Sequence, residues 1–112
     1  MHLEIQSERN GSGGSVVLAG RFDAHESEPV LTSLTALLAD GVLTIGLDLS
    51  RVDFIDSTGL AVLTRVMKRA RESGGDLVLV APSTPVRVIL ELTALDKAFV
   101  VSEVGPDIAV GH

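Results

Sequence analysis

Apolar and polar residues in the N-terminal part of the chain follow two periods, that of a strand and then that of a helix. Residues 2–8 alternate one by one, which is the period of a half-buried strand. Residues 15–20 predict a second strand, and the Gly-rich residues 10–14 predict a hairpin with a five-residue turn. Apolar residues spaced i, i+1, i+4, i+7 and i+8 then predict an amphipathic helix. They are Val30, Leu31, Leu34, Leu37 and Leu38.

The rest of the chain alternates between strand and helix patterns. In order, we predict a strand at 44–49, a helix at 57–73, a strand at 76–81, a helix at 82–95 and a short strand at 97–104. The resulting order is β-β-α-β-α-β-α-β, in which strand–helix–strand crossovers favour parallel pairing. We therefore predict an α/β fold with a mixed sheet, an N-terminal antiparallel hairpin and helices packed mainly on one side. We expect residues 1–104 to form a single domain and residues 105–112 to form a short tail.

Polar residues stand where two of these helices begin. Asp23 with Glu26 three residues later has the pattern of a capping box for the first helix, and Ser27 is a rival cap. For the second helix, either Asp56 or Ser57 is suited to cap the first turn.

Composition excludes several classes of function. The chain carries 15 acidic and 9 basic residues, a net charge of -6, which is poorly suited to nucleic acid or anionic membrane. Aromatic residues make up only 3%, so no platform for stacking bases is expected, and cysteine is absent. The start lacks a signal-peptide pattern, and no apolar run approaches the ~20 residues of a membrane span. We expect a cytoplasmic protein without membrane insertion.

Catalytic and metal-binding motifs are weak. His2, His25 and His112 have no partners at ligand spacing, so we expect surface histidines and no metal or cofactor. Ser57 lies in the sequence IDSTG, which lacks the first glycine of the G-x-S-x-G nucleophile motif. No phosphate-binding G-x-x-x-x-G-K-[ST] motif is present either. We predict that the protein is not an enzyme, and a hydrolase using Ser57 is the least favoured alternative.

The segment 56–59, DSTG, follows the predicted strand and opens the second helix. It can be a helix cap and nothing more. It also lies where parallel strands end, the edge at which such folds place their sites. A phosphate on Ser57 would add about -1.5 to -2 charges, which a helix N-terminus tolerates but an acidic partner would not. The local sequence is therefore compatible with a binding switch.

The chain resembles the STAS domain family, specifically the free-standing bacterial anti-sigma factor antagonists. The resemblance extends from Leu3 to Val101. Its most specific part is VDFIDSTGL at 52–60, followed by Gly74 and Gly75, and GRFD at 20–23 is similar to a second family segment. The resemblance implies a STAS fold.

The resemblance also implies a partner-switching cycle. The unphosphorylated antagonist binds an anti-sigma factor that is also a serine kinase, which frees a sigma factor for stress response or sporulation. The kinase phosphorylates the serine of the motif, which breaks the complex, and a serine phosphatase restores it. The matching serine is Ser57, and Thr58 is a second choice that more simply supports the cap. Asp23 matches an acidic residue near the phosphorylated serine.

The expected partner-binding residues are Asp23, His25, Asp56, Ser57, Thr58 and Gly59, with residues 23–28 as the rest of the docking patch. We interpret the basic row of Arg65, Lys68 and Arg69 as a solvated face that complements the helix dipole. We expect a monomer or weak dimer. The resemblance leaves a different use open, as an accessory subunit of an ABC-type lipid-transport complex or a stress-signalling assembly.

Overall fold

A computed structural model describes residues 3–103, and their secondary structure follows the predicted order. The elements are β1 (Glu4–Asn10), β2 (Gly13–Phe22), α1 (Ser27–Ala39), β3 (Thr44–Ile55), α2 (Ser57–Glu72), β4 (Asp76–Val80), α3 (Thr84–Leu92) and β5 (Val100–Ser102). A short 3-10 helix at Leu95–Lys97, which the sequence patterns did not predict, connects α3 to β5. The predicted tail at 105–112 lies outside the described residues.

The five strands form one mixed sheet in the order β1-β2-β3-β4-β5. β1 is antiparallel to β2, and all other neighbours are parallel. Each helical crossover moves one strand further in the same direction, so right-handed connections place all three helices on one face. The predicted fold class is therefore confirmed.

Burial within the strands shows which face the helices cover. In β3, Ile45, Leu47 and Leu49 are fully buried, while Asp48 between them is partly exposed. The buried face joins the helices in one apolar cluster, to which α1 contributes Val30 and Leu34 and α3 contributes Val86 and Leu90. The core is aliphatic apart from Phe22 and Phe99, as a chain with three phenylalanines and no other aromatic residue requires.

The hairpin turn is shorter than the sequence predicted. Asn10 pairs with Gly13, which leaves only Gly11 and Ser12 in the turn. Gly11 has φ +59, the conformation needed at the first central position of a type II′ turn. The five-residue prediction was wrong because Asn10 belongs to β1 and Gly13 and Gly14 belong to β2. A Cβ on Gly14 would lie 3.2 Å from Val42 Cγ1, so the strand contains a glycine where the core is tight.

The predicted caps of α1 are also wrong. Glu26 is the N-cap, has helical backbone angles and makes no side-chain cap hydrogen bond. Asp23 Oδ1 instead accepts from the His25 N–H at 3.0 Å, and the Ser27 hydroxyl donates to the Ala24 carbonyl at 3.0 Å. Both side chains therefore make hydrogen bonds within the loop before the helix, and the Asp23 carboxylate does not cap α1.

β3 is longer than predicted and ends beside β2. β3 runs to Ile55, and Ile55 pairs with Phe22, the last residue of β2. The pairing contains irregularities between Val17 and Ala19 and between Gly20 and Arg21, as at β-bulges. The two parallel strands therefore end at the same height, and the residues that follow them meet at one edge of the sheet.

Candidate functional site

The loop after β2 and the start of α2 are in direct contact at the carboxyl edge of the sheet. The Asp56 N–H donates to the Phe22 carbonyl at 3.4 Å. The Ala24 backbone, one residue beyond Asp23, hydrogen-bonds to the Asp56 carboxylate. The structure thus brings together the two segments that the sequence analysis singled out separately, GRFD and DSTG. We call the surface formed by residues 23–28 and 56–59 the edge site.

Asp56 is the residue that caps α2. Its backbone is extended, and its Oδ1 accepts hydrogen bonds from the Gly59 N–H at 3.0 Å and the Thr58 hydroxyl at 2.5 Å. Of the two caps left open by the sequence, the structure selects Asp56. The carboxylate satisfies backbone groups that a helix start otherwise leaves without partners.

The same hydrogen bonds keep the Asp56 carboxylate charged. Partial burial raises the pKa of Asp56, which is the largest single effect. The hydrogen bonds from the Thr58 side chain and from the backbone of Gly59, Thr58 and Ala24 together outweigh burial and lower the pKa below its ordinary value. A fixed negative charge therefore stands next to Ser57 at neutral pH.

Ser57 and Thr58 are both exposed, but their hydroxyl groups are used differently. Thr58 Oγ1 donates to Asp56, so this hydroxyl is part of the cap. The Ser57 hydroxyl makes no hydrogen bond to any residue in the described range 3–103. Ser57 is also the first residue of α2, where the helix N–H groups and dipole favour an anion.

Gly59 attaches the start of α2 closely to the end of β2. The residue is buried, and a Cβ there would lie 2.9 Å from Ile55 Cγ1 and 3.0 Å from the Phe22 carbonyl oxygen. A larger residue would force these groups apart. Gly59 therefore fixes the distance between the two halves of the edge site and is not itself exposed to a partner.

Arg21 and Phe54 belong to the surroundings of the edge site, and the sequence analysis missed both. Arg21 Nε donates to Asp23 Oδ2 at 3.1 Å, and its guanidinium lies 3.7 Å from the centroid of the Phe54 ring. The two residues pair across β2 and β3 just after a bulge. The sequence shows that Arg21 lies two residues before Asp23. It does not show that Arg21 faces Phe54, because the bulge shifts the register of the two strands.

His25 is an exposed residue of the loop. Its side chain is 91% exposed, and Nδ1 lies 3.8 Å from Asp23 Oδ1. Ser57 makes no hydrogen bond with this imidazole, the contact through which a base activates a serine nucleophile. Among residues 3–103, no cluster of three or more His, Cys, Asp or Glu could hold a metal ion. In that same range no helix is long and apolar enough to cross a bilayer.

A family profile and curated relatives identify the family of this chain. The STAS domain profile matches residues 4–109. An anti-sigma-B factor antagonist of Listeria monocytogenes is 28% identical over 105 residues, which are 93% of this chain and 92% of the relative.

Solved structures show the same fold. The crystal structure of an anti-sigma factor antagonist from Mycobacterium paratuberculosis has a TM-score of 0.84 and 25% identity, covering 98% of this chain and 92% of that one. The Bacillus cell fate determinant SpoIIAA in its phosphorylated form has a TM-score of 0.74 and 23% identity, covering 96% of this chain and 97% of that one.

Proposed function

This chain belongs to the STAS domain family, and on that premise we propose that it is a bacterial anti-sigma factor antagonist. Unphosphorylated, it binds an anti-sigma factor through the edge site and thereby frees a sigma factor in the cytoplasm. Phosphorylation of Ser57 ends this binding. The likeness to relatives named anti-sigma factor antagonist supports the general role.

The observation that carries the proposed switch is the state of the Ser57 hydroxyl. It is exposed and makes no hydrogen bond within residues 3–103, whereas the neighbouring Thr58 hydroxyl donates to Asp56. A kinase can approach Ser57 without disrupting the cap. The γ-phosphoryl group of ATP is transferred to Ser57 Oγ, the hydroxyl proton leaves, and ADP is released.

The phosphate would change the surface and leave the fold intact. It adds about -1.5 to -2 charges at pH 7 beside the ionised Asp56 and near Asp23. The N-terminus of α2 can stabilise that charge, so the helix does not need to melt. A partner bound over the edge site would have to desolvate the phosphate. The phosphate would also repel acidic groups of the partner, and both effects weaken the complex.

The cycle requires two further proteins. One is the anti-sigma factor itself, acting as an ATP-dependent serine kinase, and the other is a serine phosphatase that restores the binding form. The antagonist is a binding protein without catalysis of its own and acts as a monomer or weak dimer.

Phosphorylation at Ser57 can be tested with the anti-sigma factor that co-purifies with the Ser57→Ala variant. The purified kinase and ATP should add one phosphate to the wild type, which mass spectrometry should locate on Ser57. Thr58→Ala should still accept the phosphate, although its cap is weakened, and Ser57→Ala should not. Ser57→Asp should bind the anti-sigma factor at least about tenfold more weakly than wild type. Phosphate located only on other residues, or unchanged affinity of Ser57→Asp, would contradict the switch.

A further inference from the structure

A groove between α1 and α2 has a strongly basic wall in an otherwise acidic chain. It has a volume of about 190 Å³ and is lined by Leu31 and Thr35 of α1 and by Arg65, Lys68, Arg69 and Glu72 of α2. The three cations are exposed and share one helix face, because they are spaced i, i+3 and i+4. We call this surface the basic groove.

The three cations of the basic groove have no carboxylate partners within residues 3–103. The ion pairs found there involve Arg9, Arg21, His25, Arg71 and Arg87. Arg71, on the same helix, contrasts with them, since it binds Asp76 and the Ala98 carbonyl. Glu72 lines the groove, yet no ion pair joins it to Lys68 or Arg69.

The interpretation of this row as a complement to the helix dipole is incomplete. Dipole stabilisation is confined to the last turn, and α2 ends at Glu72, so only Arg69 of the three lies in that turn. Arg65 and Lys68 lie further back and repel each other at helical spacing. Adjacent, unpaired like charges on a net acidic molecule favour an external anionic partner.

The floor of the basic groove suits a protein segment better than a polyanion. Leu31 is partly buried and packs against the core, and the Thr35 hydroxyl donates to the Leu31 carbonyl at 2.7 Å, so little polar capacity remains between the helices. Three cations on a chain of net charge -6 are too few for nucleic acid, whose binding relies on many phosphate contacts.

We propose that the basic groove binds an acidic segment of the anti-sigma factor and forms a second part of the same interface. This inference rests on the proposed function. Arg65 is eight residues beyond Ser57, about 12 Å along the axis of α2. One partner can therefore cover both the edge site and the basic groove, with only the edge site changed by phosphorylation.

Matched charge reversals test the proposal. The groove variant is Arg65→Glu with Lys68→Glu, and the control is Arg51→Glu with Lys97→Glu, which reverses one arginine and one lysine at exposed positions elsewhere. The purified anti-sigma factor recovered with Ser57→Ala is titrated with each by calorimetry. We expect the groove variant to bind about tenfold more weakly or worse, with a shallower dependence on NaCl, and the control to bind within about twofold of wild type. Equal affinities of the two variants would overturn the proposal.

The Ser57→Asp variant separates this inference from the proposed function. If Ser57→Asp loses affinity while the groove variant matches its control, the switch stands and the groove proposal falls. If the groove variant alone loses affinity, the groove stands and the switch falls. If no anti-sigma factor binds the wild-type protein, both are overturned.

A second measurement does not depend on mutation. The chain contains two lysines, Lys68 in the basic groove and Lys97 outside it. A carbodiimide joins a lysine amine to a carboxylate in contact with it. In the wild-type complex we expect amide links from Lys68 to acidic residues of the anti-sigma factor. Links confined to Lys97 or to the N-terminal amine would overturn the proposal.

Discussion

Four consecutive residues at the start of α2 have four different roles. Asp56 caps the helix, Thr58 donates to the cap, and Gly59 packs against β2, while the Ser57 hydroxyl makes no hydrogen bond within residues 3–103. Three of the four residues therefore stabilise the fold, and the fourth, Ser57, is the one that we propose is modified. Substitutions here should separate stability from regulation, which a purely structural cap would not allow.

Asp56→Ala should lower the free energy of unfolding by about 1 kcal/mol at pH 7, because the helix loses its cap. Asp53→Ala, an exposed position on the preceding strand, is the control and should have little effect. The pKa of Asp56 is lower in the folded state than in the unfolded state, so its contribution is present at neutral pH and is lost as pH falls through the folded pKa. Urea unfolding at pH 7 and at pH 3 should show the difference between variant and wild type narrowing in acid. A difference that is constant or larger at pH 3 would contradict this role.

At the scale of elements, α2 is held closely at both ends by glycines. At its start Gly59 lies against Phe22 and Ile55, and beyond its end a Cβ on Gly75 would lie 1.7 Å from the Leu43 carbonyl oxygen. These close contacts define where the helix sits on the sheet. They also set the distance between the start of α2 and the end of β2.

Gly59→Ala should destabilise the protein by roughly 1–3 kcal/mol through overpacking, although alanine is a better helix former than glycine. Ser57→Ala provides the control, since it introduces the same residue in the same turn at an exposed position. Thermal unfolding should show a clear loss for Gly59→Ala and a change near zero for Ser57→Ala. Equal stability of the two variants would show that the contact with Phe22 can relax.

The sequence predicted the elements well where hydrophobic periodicity is local. It placed α2 and the mixed sheet correctly, because the apolar rows of each element depend only on neighbouring residues. It failed where long-range register decides, as for Gly13 and Gly14, which look like turn residues but pair within β2. The contact of Arg21 with Phe54 depends on a bulge, and the basic groove depends on how two helices pack, so neither could be found from spacing alone.

At the scale of the whole molecule, the helices cover one face of the sheet, and the edge site lies outside the core. A phosphate on Ser57 would make the net charge more negative, from -6 to about -7.5 to -8, without entering the apolar cluster. The switch we propose is therefore a change of surface charge and not a change of fold.

Phosphorylated and unphosphorylated proteins should have similar stability. Because Ser57 is exposed at the positive end of α2, we expect the melting temperature to change by less than about 4 °C, equivalent to under about 1 kcal/mol. Calorimetry of the purified phosphoprotein and of the phosphatase-treated sample measures this directly. A much larger fall would show that phosphorylation acts by loosening the domain.

The order of the strands in the sheet is also their order in the chain. Each strand pairs with the one synthesised just before it, so it can join the sheet without waiting for a strand later in the chain. We expect the sheet to grow from the hairpin towards β5 as the chain leaves the ribosome. The strands that carry the edge site are among the first to pair, so we expect the proposed regulatory surface to assemble before the C-terminal part of the sheet.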